Sequence, residues 1–413
     1  MAVISGNTSP AFASVGEALR KQLARTPGGG ALCVYHRGEK VVDLWGGVRD
    51  RAGNAWQADT LAVSFSTSKG VTATLAHQLA AEGLLDYDAP VADYWPEFAA
   101  NGKGEISIRE LLTHRAGLYG MRDLGLEFDD LSNWTKVTSA LAAAPANRSQ
   151  APASLYHALT WGWLVGEVIQ RISNTPISEL VQTRLAHPLH LDGLYIGTPD
   201  SEHHRVAELL MGRDPNAPAP VDTPRRRARR RLRRGLLRGY RGLSQVGLLP
   251  DLSAFEDSVS VPGFHPQKMT QPHVLRAAIP SAGGVFSARA LARLYGALAC
   301  GGALDGQRIM DAAHVELLSE QQVFSLDRAL YAPMRWRLGY HQPFVLRRRR
   351  PPRAFGHFGY GGSGAWADPD HQLAVALTVN AGTGTPWGDM RILKVGAEAL
   401  RCAEKVGRRK SDV

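Results

Sequence analysis

Residues 63 to 86 read VSFSTSKGVTATLAHQLAAEGLLD, and the six from Ser64 to Lys69 hold three serines and a lysine whose nearest acid in the stretch is Glu82. A serine hydroxyl is a poor nucleophile at neutral pH. A neutral amine beside it can take its proton, provided burial or positive neighbours depress the lysine pKa. Val71, Leu75 and Leu79 recur at helical spacing and Gly83 is placed to end the helix. If Ser66 opens that helix, Lys69 lies one turn on and faces the same side, within reach of the hydroxyl. The helix start adds free N–H groups and a positive dipole end, both favourable to an oxyanion. The missing acid then has a purpose, because an ion pair would hold Lys69 protonated. The alternative is that Ser66 only caps the helix and Lys69 is a solvated first-turn residue.

Other hydrolytic systems find no support. No G-x-S-x-G elbow, H-E-x-x-H, P-loop or dinucleotide fingerprint occurs, so neither metal nor cofactor is expected. The rival serine, Ser363 in GGSGAW, lacks a flanking catalytic pattern.

The elements that must position the S-x-x-K tetrad come from both ends of the chain. ALCVYHRGEKVVDLWGG predicts two strands joined at Arg37-Gly38, and HFGYGGSGAWADPDHQLAVALTVN a strand, a turn at Asp368-Pro369-Asp370 and a second strand, before a closing helix in DMRILKVGAEALRC. Between them lie helical patterns, among them ISIRELLTHRAGL, SARALARLYGALACGG and YHALTWGWLVGEVIQRISN, whose Trp161, Leu164, Val165, Val168, Ile169 and Ile172 form one apolar face. This predicts an α/β (α+β) fold with an antiparallel sheet built from the N- and C-terminal segments, flanked by helices and carrying an inserted helical domain. The expected boundaries are 1–85 with 280–413 for the sheet domain, 86–202 for the helical domain, and 203–279 for an Arg/Pro-rich insertion or loop.

Composition sets the remaining limits. The 413 residues are 44% hydrophobic and 21% charged, ordinary for a globular protein. The formal charge of +10 is local: ten arginines fall between Arg225 and Arg241 and five more at 347–350 and 353, and without these fifteen the balance is −5. Such runs are read as solvated insertions, so no nucleic-acid partner is expected. Cys33, Cys300 and Cys402 are odd in number and lack metal spacing. With no signal-peptide pattern and no run of 18 apolar residues, no transmembrane segment and a cytoplasmic location are expected.

Together SFSTSKG, ISIRELLTHRAGL, YHALTWGWLVGEVI, PSAGGVFSARALARLY and GHFGYGGSGAWADP resemble, in order, the serine β-lactamase and penicillin-binding-protein superfamily, nearest to class C β-lactamases and the β-lactamase-like family VIII carboxylesterases. The resemblance covers about residues 30–200 and 280–380. It implies an acylated nucleophile at Ser66 with Lys69 as its proton acceptor. The family's Tyr-x-Asn falls on Tyr156-His157-Ala158, making Tyr156 the phenol that shares proton transfer, one that beside a cation can run part-ionised. The family's Lys-Thr-Gly falls on His357-Phe358-Gly359: Gly359 would let substrate approach, His357 would contact substrate, and the N–H groups of Tyr360 and Ser66 would form the oxyanion hole. His114 is read as structural. Class C enzymes hold an anionic lactam with an Asn and a Lys where this chain has Ala158 and His357. The resemblance with these departures implies a serine hydrolase cleaving short-chain carboxylic esters, small molecules, through an acyl-enzyme. A weak β-lactamase or D-alanyl-D-alanine carboxypeptidase is the second reading, and a non-catalytic protein binding anionic surfaces through its arginines the third.

Overall fold

The computed structural model describes residues 3–148, 153–211, 253–344, 351–382 and 389–411, with scattered positions between 223 and 238. Most of the arginine run 225–241, and Arg347 to Arg350, lie outside the described residues.

Strands β1 (Ile4–Thr8), β2 (Gly30–His36) and β3 (Glu39–Gly46) join β6 (Phe355–Phe358), β7 (Gly364–Asp368) and β8 (Leu373–Val379) in one antiparallel sheet of order β1-β3-β2-β8-β7-β6. The β2–β3 turn at Arg37 (φ 55°) and Gly38 (φ 82°) is a two-residue hairpin with positive φ at both positions, which suits the sheet's right-handed twist. The two ends of the chain meet where β2 pairs with β8, from His36 opposite Leu373 to Gly30 opposite Val379.

Every residue of β8 is buried, because helices cover both faces of the sheet. Leu373, Val375, Leu377 and Val379 pack with Val15 and Leu19 of α1 (Ala13–Leu23) and Val395 of α7 (Arg391–Ser411). Ala374 and Ala376 face the other way, with Ala365 and Ala367 of β7, toward α6 (Ala288–Ala299). Strand alternation thus puts branched residues on one face and alanines on the other, where a helix must come close. Each fully buried Leu or Val contributes about 1.5 to 3 kcal/mol. On the alanine face also runs α2 (Thr67–Ala81), whose residues from Thr67 to Leu79 are all buried. Gly70 lets it sit there, since a Cβ at that position would lie 2.0 Å from the Tyr295 hydroxyl of α6.

Beyond α2 the chain is helical: α3 (Ile108–Leu112) starts on a Ser107/Glu110 capping box, and α4 (Trp134–Ala143) packs on α5 (Thr160–Ser173). A two-stranded ribbon, β4 (Val323–Asp327) and β5 (Ala332–Trp336), leads back toward β6.

Two expectations need correcting. Described residues between 253 and 276, within the stretch expected to be an insertion or loop, form short helices, Ser253–Val259, Pro266–Thr270 and Pro272–Arg276, that the sequence reading did not place. Proline opens the last two, a first-turn position at which it favours a helix. The stretch through HFGYGGSGAWAD is a hairpin, β6 and β7, because Gly361 (φ 92°) and Gly362 (φ 109°) turn the chain. No helix among the described residues is long and apolar enough to cross a membrane.

Candidate active site

The three serines of the opening stretch meet different fates. Ser64 and Ser68 are fully buried, the first donating to Ala62 O and the second to Phe65 O. Ser66 alone is partly exposed. Its backbone is already helical and its side chain makes no capping bond, so the capping alternative does not describe this residue. Just before it, Phe65 holds φ at 46°, a conformation costing a non-glycine residue roughly 1 to 3 kcal/mol and typical of functional turns.

Lys69 is fully buried rather than solvated. Its Nζ lies 3.2 Å from Ser66 Oγ and donates to the carbonyls of Ala158 (2.7 Å) and Ser281 (3.2 Å). It forms no salt bridge with an acid among the described residues. Burial therefore pushes its pKa well below the ordinary lysine value. Two carbonyls can only accept. A neutral amine satisfies both with its two hydrogens and turns its lone pair to the Ser66 hydroxyl.

Tyr156 lines the same cavity as Ser66, whose hydroxyl is close enough to temper the rise of the phenol pKa, and its ring centroid lies 5.0 Å from Lys69 Nζ. The resemblance implied a phenol part-ionised beside a cation. The surroundings work against that, because burial raises the Tyr156 pKa far above the ordinary phenol value while lowering that of the lysine. The pair is thus poised as neutral amine and neutral phenol.

Four imidazoles gather near this phenol. His157 donates from Nδ1 to Leu155 O (2.7 Å) and accepts at Nε2 from Leu118 N (3.0 Å), and His114 Nδ1 accepts from His157 N (3.2 Å). Both fix the segment that carries Tyr156. His341 donates to Gln342 O (3.0 Å) and accepts from Phe358 N (3.2 Å). His357, on β6, donates from Nδ1 to Phe358 O (3.0 Å), which leaves Nε2 as a bare lone pair, buried and without a partner among the described residues. Burial, reinforced by His341 and Lys69, pushes the His357 pKa well below 6.5 and keeps the ring neutral.

Past His357 the chain turns at Gly359, where a Cβ would lie 2.1 Å from Ser64 O. The glycine thus lets the end of β6 close on the turn into α2. That approach brings Tyr360 alongside Phe65, rings 5.4 Å apart. The backbone N–H groups of Ser66 and Tyr360 find no acceptor among the described residues. Ser66, Tyr156 and His357 open into a cavity of about 90 Å³ whose other walls include Val259, Leu330, Met334, Trp336, Phe344 and Phe358. Among the described residues lining it there is no lysine or arginine. Ser363, the rival serine, is spent on β8: its hydroxyl accepts from Val379 N at 3.1 Å.

Sequence reasoning missed the carbonyls of Ala158 and Ser281, the strained Phe65 and the supports of Tyr156 described below. Backbone carbonyls leave no mark on residue type. Asp327 and Trp336 carry no periodic signal and lie far from the tetrad.

A Beta-lactamase family model matches residues 17–397. The chain is 40% identical over 381 residues, 91% of its length and 83% of the relative's, to the esterase/beta-lactamase LipL of Mycobacterium tuberculosis. Among solved structures, a family VIII carboxylesterase superposes with TM-score 0.82 at 32% identity, covering 97% of this chain and all of the other. A penicillin-binding-protein homologue from Caulobacter crescentus gives TM-score 0.79, again at 32% identity, covering 97% of this chain and all of that one.

Proposed function

Because this chain belongs to the Beta-lactamase family and is a hydrolase, we propose that it cleaves short-chain carboxylic esters through an acyl-enzyme on Ser66. The observation that carries this is the placement of one partly exposed hydroxyl between a buried amine that no acid holds charged and a buried phenol.

In acylation, Ser66 Oγ attacks the ester carbonyl and its proton passes to Lys69 Nζ. The carbonyl π electrons move to oxygen, where the N–H groups of Ser66 and Tyr360 receive the oxyanion. Collapse restores the carbonyl and breaks the bond to the alkoxide, which takes the Tyr156 proton. The ammonium of Lys69 then returns a proton to the phenolate, so that in net one proton has passed from Ser66 to the alcohol and the relay is restored. Water repeats the sequence on the acyl-enzyme, giving its proton to the same relay and releasing the acid and free Ser66.

The cavity favours an ester over an anionic lactam. Among the described residues that line it, a carboxylate finds a neutral His357 with its lone pair outward and no cation, and so forfeits a charge-assisted hydrogen bond, roughly 1.5 to 3 kcal/mol or about ten- to a hundred-fold in affinity. The expected kcat/KM for a short p-nitrophenyl ester exceeds that for nitrocefin by about two orders of magnitude or more. His357→Lys should narrow that gap. Lactam hydrolysis is the second reading, supported by the name of the Mycobacterium tuberculosis relative. Equal turnover of ester and nitrocefin by the unaltered protein would promote it.

A further inference from the structure

Tyr156 sits in a segment, residues 154–157, with no regular secondary structure. Neither helix nor strand fixes its phenol, yet a shared proton needs atoms held closely in place.

The support comes from 171 residues further along the chain. Asp327, at the end of β4 and fully buried, gathers four donors: Tyr156 N (3.2 Å), Ala329 N (3.0 Å) and Leu330 N (3.0 Å) on Oδ1, and Ser154 Oγ (2.9 Å) on Oδ2. Ser154 Oγ in turn accepts from the Trp336 indole N–H at 2.8 Å. That indole lies parallel to the phenol, rings 5.7 Å apart and 6° from coplanar. One carboxylate therefore grips Tyr156 twice, at its backbone and through the serine and the indole behind its ring. No lysine, arginine or histidine forms a salt bridge with Asp327 among the described residues. A carboxylate buried without a cation is costly, and a turn cap alone can be made by Asn or Ser at less cost.

We infer that Asp327 is a positioning residue for the proton relay, holding the Tyr156 phenol in line with Ser66 through Ser154 and Trp336. This rests on the proposed role of Tyr156. The groups around the phenol are Lys69 from α2, His114 from the turn after α3, its neighbour His157, His357 from β6 with His341 against it, and Asp327 itself. Burial holds Lys69, His114, His157 and His357 toward their neutral forms. Burial also raises the Asp327 pKa, opposed by the four hydrogen bonds the carboxylate accepts. Asp327 is the charge that opposes ionisation.

The test is Asp327→Asn, with Ser154→Ala as a second variant that leaves the backbone contacts of the carboxylate in place. Expected for Asp327→Asn is a ten- to hundred-fold fall in kcat on a p-nitrophenyl ester with KM within about three-fold. Its kcat/KM limb should also move to lower pH, because removing the negative charge makes both phenol and ammonium easier to deprotonate. Ser154→Ala should show a smaller fall in kcat. In a Tyr156→Phe background, Asp327→Asn should add little. A folded Asp327→Asn with unchanged kcat and pH profile, or an equal further loss in the Tyr156→Phe background, overturns the inference. If Asp327→Asn does not fold, a Ser154→Ala enzyme with unchanged kcat does so. Should Tyr156→Phe itself keep full activity, the relay fails first, which separates the two outcomes.

Discussion

Among the described residues two lysines are completely buried, Lys69 and Lys103, and neither forms a salt bridge with an acid there. Both lie near an aromatic ring, Lys103 Nζ 5.4 Å from the Phe98 centroid and Lys69 Nζ 5.0 Å from that of Tyr156. Their third partner separates them. Lys103 donates to three carbonyls, Ala100 (2.6 Å), Ala142 (2.9 Å) and Ala144 (2.5 Å), one for each hydrogen of an ammonium. Lys69 has two carbonyls and a serine hydroxyl, an arrangement that a neutral amine satisfies as well as a cation does. One lysine ties a loop to the end of α4. The other, as a neutral amine, has a lone pair left for the proposed proton transfer from Ser66.

Substituting both lysines should separate function from stability. Lys69→Met and Ser66→Ala are each expected to lower ester kcat by on the order of 10³-fold or more. Below pH 10.5 the unfolded chain binds a proton that a neutral Lys69 lacks, so this group costs stability at lower pH, and the cost shrinks as pH rises to 10.5. Lys69→Met should therefore melt no earlier than the parent. Lys103→Met should do the reverse, keeping kcat within a few-fold while losing roughly 1 to 3 kcal/mol in urea melts, since carbonyls lose their donor. Equal effects of the two changes on activity would erase the distinction.

Next in size is the coupling within the site. Tyr156→Phe should cost nearly as much as Lys69→Met, and the double variant little more than either alone, because groups acting as one unit are strongly non-additive. A double variant whose loss is the product of the two single losses would mean that they act independently.

The smallest effect is the most diagnostic of protonation. The proposed relay needs the neutral amine, so kcat/KM should climb with pH through the Lys69 pKa, and burial places that limb below 10.5. Lys103→Met should leave the limb where it is. A profile flat on its acid side down to pH 5 would mean that no such base is in use.

The comparison also marks what the amino-acid sequence could tell. Helix spacing placed Lys69 one turn from Ser66, and the β2–β3 and β7–β8 turns were legible from Arg37-Gly38 and Asp368-Pro369-Asp370. Neither lysine announced its state. The acceptors of Lys69 come from residues 158 and 281, and those of Lys103 mostly from residues 142 and 144, as main-chain oxygens that any residue could supply. The motif pointed to Tyr156, and the structure puts its side chain in the cavity with Ser66. Its anchoring to Asp327 depends on a contact made only once β4 has paired with β5. Gly361 and Gly362 read as turn or close-packing glycines from their type alone, but the flanking residues suit a strand on either side, so the hairpin they make is hidden within a stretch that reads as one strand.

The central claim is that Lys69 deprotonates Ser66, and the rate of covalent labelling by a fluorophosphonate, followed across pH with the adduct located by tandem mass spectrometry, addresses it most directly. The expected result is a single adduct on Ser66, absent in Ser66→Ala, forming faster as pH rises to a plateau whose midpoint lies below 10.5, with that dependence lost in Lys69→Met. An adduct on Ser64 or Ser363, or a Lys69→Met protein labelled at the parent rate with the same pH dependence, would contradict it.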